Sequence, residues 1–389
     1  MNSGKYVFAQ ITSFLSANDF NKHVIHYQGN YKVQHFTCWH QLMCMMFGQL
    51  SNCDSLTDLV VGLTAQRSKW YHLGMGTGLS KSNLAYANEH RDWRIFADFA
   101  YTLVAEAKII CRNNSDVLPN IKGNFYGIDS TTVDLCLNVF WWAKFRKHKG
   151  AIKLHTQFDI KANIPTFIEI TDGLTHDVNF LDHLTYESGA YYIADKGYID
   201  FERLYIIHQA EAFFVTRAKE NMNYHRLYSA KVNKAKGVKC DQTIMLNNYY
   251  SAKEYPEKIR RIKFYDKETK NELDFITNNF RLSAANIALL YKHRWSIELF
   301  FKWIKQHLRI KTFWGYSENA VRIQIYSAII AYLTISIMKE KMKLHQSNYE
   351  ILQILNFSLI DKMDMQHLFD DSYLQYFKEQ TCNQLKINL

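Results

Sequence analysis

Asn124-Phe-Tyr-Gly-Ile-Asp129 reads as a short β-strand, and the segments that follow it decide the fold. Lys153-Leu-His-Thr-Gln-Phe-Asp-Ile160 and Thr166-Phe-Ile-Glu-Ile170 alternate as a hairpin across a turn at Asn163 and Pro165. A short helix near Asn179 to Thr185 precedes the strand Ala190-Tyr-Tyr-Ile-Ala-Asp195. Phe201 to Ala210 reads helical, and Phe213-Phe-Val-Thr216 is a fifth strand. Upstream, residues 1 to about 110 are helical in pattern: Gln41 to Gln49, Leu56 to Gln66, and one long helix from Ser82 to about Lys108. Ser80 and Ser82 are both suitable N-caps for that last helix.

Three strands, a helix, a strand, a helix and a strand give the order of a ribonuclease H-like α/β core. In that layout an antiparallel trio is extended by two further strands, and the first and fourth strands are neighbours. Asp129 ends the first and Asp195 ends the fourth, so the layout predicts two carboxylates side by side. Each also has an ordinary explanation. Asp129 can bond the local backbone of Ser130 and Thr131, and Asp195 can sit in a turn before Gly197.

The helix beginning Tyr291-Lys-His-Arg294-Trp-Ser-Ile-Glu298 and running to Lys305 adds a third acid. At about 100° per residue, Tyr291, Arg294, Glu298 and Lys305 fall within an arc of roughly 60°. Carboxylates hold divalent metals, while Arg, Lys and Tyr hold phosphate oxygens. Taken alone, Arg294 and Glu298 are also the spacing of a surface ion pair worth about 0.2–0.5 kcal/mol. Against that reading, Leu299 to Ser317 contains no acid but holds Lys302, Lys305, Arg309 and Lys311. Solvated helices mix signs. Two carboxylates from adjacent strands and Glu298 from a helix on the sheet would repel unless cations neutralised them. Two Mg²⁺ ions (or Mn²⁺) would do so, and would activate both oxygens of an in-line phosphoryl displacement.

The whole chain agrees with a nucleic-acid partner. Its 47 Lys and Arg outnumber 37 Asp and Glu, giving +10 over 389 residues and a pI near 9.0. A second acid-free run, Leu135 to Phe158, carries Lys144, Arg146, Lys147, Lys149 and Lys153 with Trp141, Trp142 and Phe145 among them. Phosphates attract the cations and bases stack on the aromatics, although a solvated loop beside buried tryptophans has the same composition. Seven scattered cysteines with no CxxC pair suit a reducing cytoplasm. No signal peptide is visible, and Ile323 to Met338 reads as a buried helix too short and polar to span a bilayer. These features predict no membrane partner and no small-molecule cofactor.

Residues 220–280 read as a β-rich insertion in the core, with Arg261 to Tyr265 and Leu273 to Thr277 paired and a further strand at Thr243 to Leu246. The expected organisation is a helical DNA-end-binding domain over 1–115, a catalytic domain over 120–340 interrupted by that insertion, and a helical region over 341–389. Lys81, Arg91 and Arg94 in or beside the Ser82 helix are candidates for DNA contact, and dimerisation is the competing role for the domain.

Ile128-Asp129-Ser-Thr-Thr, Ile193-Ala-Asp195-Lys-Gly-Tyr198 and Tyr291-x2-Arg294-x3-Glu298-x6-Lys305 together resemble the three blocks of bacterial insertion-sequence transposases with a DDE triad. The third block resembles the cut-and-paste branch with the Y-R-E-K signature. The resemblance implies that Asp129, Asp195 and Glu298 are catalytic metal ligands, and that Tyr291, Arg294 and Lys305 grip phosphates near the element's end. It implies end nicking, hairpin formation and strand transfer on double-stranded DNA, acting on terminal inverted repeats and target DNA from a homodimer on paired ends, in the bacterial cytoplasm at the nucleoid. The family's β insertion often carries a tryptophan that replaces a flipped base. This sequence has none between Trp142 and Trp295, leaving Tyr249, Tyr250 or Tyr265 for that place. Two other readings stay open: another ribonuclease H-like nuclease, and a domesticated DNA-binding protein without catalysis.

Overall fold

The computed structural model describes residues 4–51, 53–112, 121–136, 138, 140–146, 149–307 and 313–370, with 144–146, 149, 306 and 307 described by backbone alone. The chain forms two compact units. One gathers residues 1–114, 138–142 and 302–389; the other gathers 115–137 and 143–301.

The first unit is helical. It opens with α1 (Val7–Thr12), α2 (Ala17–His26), α3 (Cys38–Leu50), α4 (Leu56–Ala65), α5 (Lys81–His90) and α6 (Arg94–Arg112). The single helix expected over residues 82–108 is therefore two. Arg91 turns extended at the end of α5, and the Asp92 carboxylate accepts from the Arg94 backbone at 2.9 Å to start the next helix. Ser80, rather than Ser82, is the N-cap of α5, accepting from Asn83 N–H.

The second unit is one mixed β-sheet with helices on it. Its strands are β1 (Phe125–Leu135), β2 (Lys144–Arg146), β3 (Lys149–Asp159), β4 (Ile164–Asp172), β5 (Tyr191–Ala194), β6 (Phe213–Arg217), β7 (Tyr224–Ser229), β8 (Val238–Leu246), β9 (Ile259–Asp266) and β10 (Asn271–Thr277). The sheet runs β2-β3-β1-β5-β6-β10-β9-β8-β7, and β4 also pairs with β3. The β1–β3 and β3–β4 pairs are antiparallel; β1–β5 and β5–β6 are parallel. The strands of the insertion do not stand apart as the sequence suggested. They continue the same sheet, because β10 pairs antiparallel with β6 from Phe275↔Arg217 to Thr277↔Val215.

Period-two alternation sorts the side chains of this sheet onto two buried faces. Tyr126, Ile128, Tyr192, Ala194 and Phe214 pack with Leu204 and Ile207 of α7 (Phe201–Gln209). The short helix α8 (Tyr249–Glu254) follows β8, and Tyr255 beyond it joins the same cluster. Phe125, Tyr191, Ile193 and Val215 face the other way, onto Ile287, Leu290 and Tyr291 of α9 (Ala284–His293). Residues buried on both faces explain why β5 reads as a nearly continuous apolar run.

The helix expected from Tyr291 to Lys305 is interrupted. α9 ends at His293 and α10 (Trp295–His307) begins after Arg294. Arg294 N–H bonds the Tyr291 carbonyl and Ile297 N–H bonds the Arg294 carbonyl, each at 3.1 Å. These i→i+3 bonds tighten the backbone through the junction. α10 lies close on β1: a Cβ built at Gly127 would meet the Ile297 side chain at 3.8 Å.

The remaining helices, α11 (Glu318–Met342), α12 (Asn348–Ser358) and α13 (Met365–Leu368), belong to the first unit. At 25 residues α11 is longer than the expected Ile323 to Met338, and by length and composition it could cross a membrane. Here it is the core helix of its unit, 94% buried over its most apolar window. Thr334 and Ser336 return their hydroxyls to carbonyls four residues back, so these two buried hydroxyls are satisfied within the helix.

Candidate active site

Asp129 lies within β1 rather than at its end. The parallel pairing with β5 stops at Ile128↔Ala194, while the antiparallel pairing with β3 continues through Asp129↔Thr156 to Leu135. Asp129 is thus the first residue beyond the β1–β5 ladder, and Asp195 follows directly after β5. The two strands are neighbours as expected. Phe125, Gly127 and Asp129 share a strand face by alternation, and Ile297 packs against the Gly127 position. This packing brings the start of α10, with Glu298, over β1 beside Asp129.

Arg294 joins these acids. Its guanidinium donates to Asp129 Oδ2 at 2.8 Å and to Glu298 Oε1 at 2.5 Å. Tyr291 Oη donates to Asp195 Oδ1 at 3.3 Å, and the Arg294 guanidinium lies 5.6 Å from the Tyr291 ring centre. Asp129, Asp195, Glu298, Tyr291 and Arg294 are therefore gathered. Lys305 lies two turns further along α10 and is half-buried, and Lys302 is exposed.

Burial raises the Asp129 pKa above the usual carboxylate range; Arg294 opposes that rise, and Glu298 and Asp195 add to it. Burial also works against the charge on Arg294, but Tyr291, Asp129 and Glu298 outweigh it and raise the Arg294 pKa. The Tyr291 phenol is pushed up to about 12, chiefly by burial, so it stays protonated as a donor. Among the described residues no three Asp, Glu, His or Cys side chains converge closely enough to share one ion. Arg294 supplies the positive charge instead, and its own Nε is buried without a hydrogen-bond partner. The donor chemistry suits a hard divalent cation: three oxygen ligands in mutual electrostatic reach, one of them reluctant to ionise without more positive charge.

Other expectations need correction. Lys153 does not face outward; its ammonium lies 3.2 Å from Asp177 Oδ1 and donates to the Thr175 carbonyl at 2.7 Å. Ser130 donates to the same Asp177 oxygen at 2.8 Å, so Lys153 and Asp177 brace the residue beside Asp129. Arg91 also turns inward, donating to Gln41 Oε1 at 3.0 Å and to the Phe36 carbonyl. Arg94 is exposed but paired with Asp92 at 2.6 Å and set over the Tyr27 ring. Lys81 is exposed at the start of α5. Lys147, Arg309 and Lys311 lie outside the described residues, as do the side chains of Lys144, Arg146 and Lys149. Trp142 donates its indole N–H to the Tyr316 carbonyl at 2.8 Å, whereas Trp141 is 75% exposed.

Sequence reasoning missed the bracing role of Asp177. It also missed Tyr198, buried beneath the site with its phenol pKa raised by burial and by the Asp129 and Asp177 charges. The signal for Tyr198 was present, since it closes the Asp195-Lys-Gly-Tyr198 block. Asp177 had none.

Residues 123–334 match the family model described as a transposase DDE domain. The chain belongs to the DDE transposases. It is an enzyme that cleaves and transfers DNA, with DNA as its partner and a dependence on divalent metal. Residues 3–76 match a second model, a domain of unknown function. Over 260 residues, 65% of this chain and 70% of the relative, it is 35% identical to the putative transposase y4zB of Sinorhizobium fredii. It is 30% identical over 218 residues, 56% of the chain and 57% of the relative, to the probable transposase for insertion sequence element IS5377 of Geobacillus stearothermophilus. A putative transposase for insertion sequence element IS4SA of Synechocystis is 24% identical over 78% of the chain and 85% of its own length. The resemblance drawn from the three sequence blocks is thereby borne out at the level of family and activity.

Proposed function

We propose that this transposase moves its insertion sequence by cut and paste, with Asp129, Asp195 and Glu298 as the catalytic metal ligands. The core is read as ribonuclease H-like: β4-β3-β1 form the antiparallel trio, and β5 and β6 are the parallel additions. The observation that carries the reading is the Tyr291–Arg294 segment, which touches all three carboxylates. A structural helix junction has no need to contact three acids drawn from two strands and a helix.

When bound, Mg²⁺ or Mn²⁺, as a pair of ions, would be held by these carboxylates and would stabilise charge on the attacking and leaving oxygens. The chain's own residues do the rest. Tyr291 orients Asp195 through its phenolic proton. Arg294 keeps Asp129 and Glu298 neutralised, and once released from them its guanidinium is a fork for phosphate oxygens. Lys305 and Lys302 extend the positive charge along α10. Lys144, Arg146, Lys147, Lys149, Lys81 and Arg94 remain proposed DNA contacts; Arg91 and Lys153 are left out because their charges are used internally. The domain assignments are likewise proposals: DNA-end binding by residues 1–115, catalysis by 120–340 and a C-terminal helical region from 341. So are the homodimer on paired inverted repeats, the hairpin intermediate, and a cytoplasmic, nucleoid-associated location. Tyr249 and Tyr250, each 76% exposed, are the aromatics offered for a displaced base.

Asp129→Ala, Asp195→Ala and Glu298→Ala should each abolish cleavage of element-end DNA in Mg²⁺, with end binding largely retained. Affinity comes mainly from phosphate neutralisation and not from the metal ligands. Near wild-type cleavage by any one variant would remove that residue from the site.

A further inference from the structure

The N-terminal region carries a second concentration of positive charge, unrelated to the acids of the active site. Tyr6, at 8% exposure, has two ammonium groups close to its ring: Lys362 Nζ is 5.0 Å from its ring centre and Lys69 Nζ is 5.6 Å from it. The two cations are no further apart than the sum of those distances, comparable to the ~10 Å Debye length at 0.1 M salt. Among the described residues neither has a carboxylate within ion-pair distance, and Asp361, next to Lys362 in the chain, makes no ion pair with it. Arg67 lies over the Trp70 ring beside Lys69, and Tyr71 is 88% exposed.

Three segments distant in sequence are pinned to make this arrangement. Tyr6 forms an antiparallel bridge with Lys362, and Val7 N–H bonds the Asp361 carbonyl at 3.0 Å. The buried Gln10 side chain ties both strands of the bridge, donating to the Lys5 and Met363 carbonyls and accepting from Met365 N–H at 3.1 Å. The Arg67–Lys69 turn is held by the Trp70 indole, which donates to the Leu63 carbonyl at 2.6 Å. Bringing two unpaired cations to one ring costs repulsion that the ring offsets only in part, since an exposed cation–π contact is worth about 0.5–1 kcal/mol. An anion between them would remove the repulsion.

We propose that Lys69 and Lys362, both held close to the Tyr6 ring, form a clamp for one stretch of duplex DNA backbone, with Arg67 and the exposed Tyr71 at its flank. The inference rests on the chain's membership of a DNA-acting family. It gives the region matched by a domain of unknown function a sequence-independent part in holding DNA, apart from the Lys81 and Arg94 contacts proposed above.

The test uses the full chain and a labelled 30-base-pair duplex of random sequence, with affinity measured from 50 to 300 mM salt. Lys69→Gln with Lys362→Gln should lower the slope of log affinity against log salt by about two units, one for each phosphate no longer neutralised. The melting temperature should be unchanged. Lys32, an exposed lysine also near a tyrosine ring (5.2 Å from the Tyr31 ring centre), is the control, and Lys32→Gln should leave the slope as it was. An unchanged slope in the folded double variant overturns the clamp while leaving the transposase reading intact. An equal drop in the Lys32 variant overturns it too, because net charge alone would then account for the effect. If the wild-type chain binds no duplex at all, the clamp and its parent reading fail together.

Discussion

Two arginines in the sheet unit, Arg260 buried and Arg294 half-buried, are used in opposite ways. Arg260, 7% exposed on β9, meets Asp241 with two parallel bonds, Nε to Oδ1 at 2.8 Å and Nη2 to Oδ2 at 2.6 Å. Its remaining amino group donates to the Asn279 and Leu282 carbonyls. Every nitrogen is occupied and charge is matched one to one. Arg294 instead divides itself between two carboxylates, with Asp195 as a third acid near by, and leaves Nε unpartnered. A closed pair of the first kind fixes a structure. An outnumbered cation of the second kind can be exchanged for a stronger one, and that separates a site from a strut.

The comparison is broken or sharpened by substitution. Arg260→Leu strands the Asp241 carboxylate and should cost about 3–5 kcal/mol in chemical denaturation, with no recovery on adding metal. Arg294→Gln also leaves unneutralised carboxylates, but here millimolar Mg²⁺ should restore the melting temperature and stabilise the variant more than the wild type, because the added cation binds only the folded site. Equal metal response in the two variants would erase the distinction. Gly127→Leu should cost about 1–3 kcal/mol by forcing Ile297 and α10 off the strand, and cleavage should fall further than that drop in stability explains. Retained cleavage would mean that α10 need not sit where it does.

The smallest effect concerns the third charged group of the unit, around Asp177. His155 is fully buried against Phe180, and burial depresses its pKa below the ordinary value of 6.5. The unfolded chain therefore takes up this proton more readily than the folded one. Stability from this group is fully present above about pH 6.5 and is lost as the pH falls through the folded value. His155→Gln should flatten that part of the stability profile, and an unchanged slope below pH 6.5 would rule the group out.

The sequence made the inner sheet legible where side-chain alternation and burial agree, as in β1, β3, β4, β5 and β6. It concealed β7, whose Tyr224-His-Arg-Leu-Tyr-Ser229 lies at the sheet edge with almost no buried face to betray it. The break between α9 and α10 was also hidden. A wheel drawn at constant angle passes smoothly over Arg294, and no Gly or Pro marks the junction. The acids and their companions were found because their chemistry is written in residue type. The inward turn of Lys153 and Arg91 was not, since a positive charge carries no sign of direction until its partner across the fold is known.

The path of the chain through the sheet also sets an order in time. After β6 it passes to the outer edge at β7 and works back through β8 and β9, so that β10 closes onto β6 only after the rest is made. Glu298 lies beyond this detour. On a ribosome adding roughly 5–20 residues per second, the ~170 residues between Asp129 and Glu298 take about ten to thirty seconds to emerge. Arg294 comes out only just before Glu298, so a nascent chain holds Asp129 for nearly all of that interval, and Asp195 for the later part of it, with neither their cation nor their third partner. A product stalled before Tyr291 therefore lacks both the Tyr291 contact to Asp195 and the Arg294 contact to Asp129, and the cluster is gathered only once that segment is made.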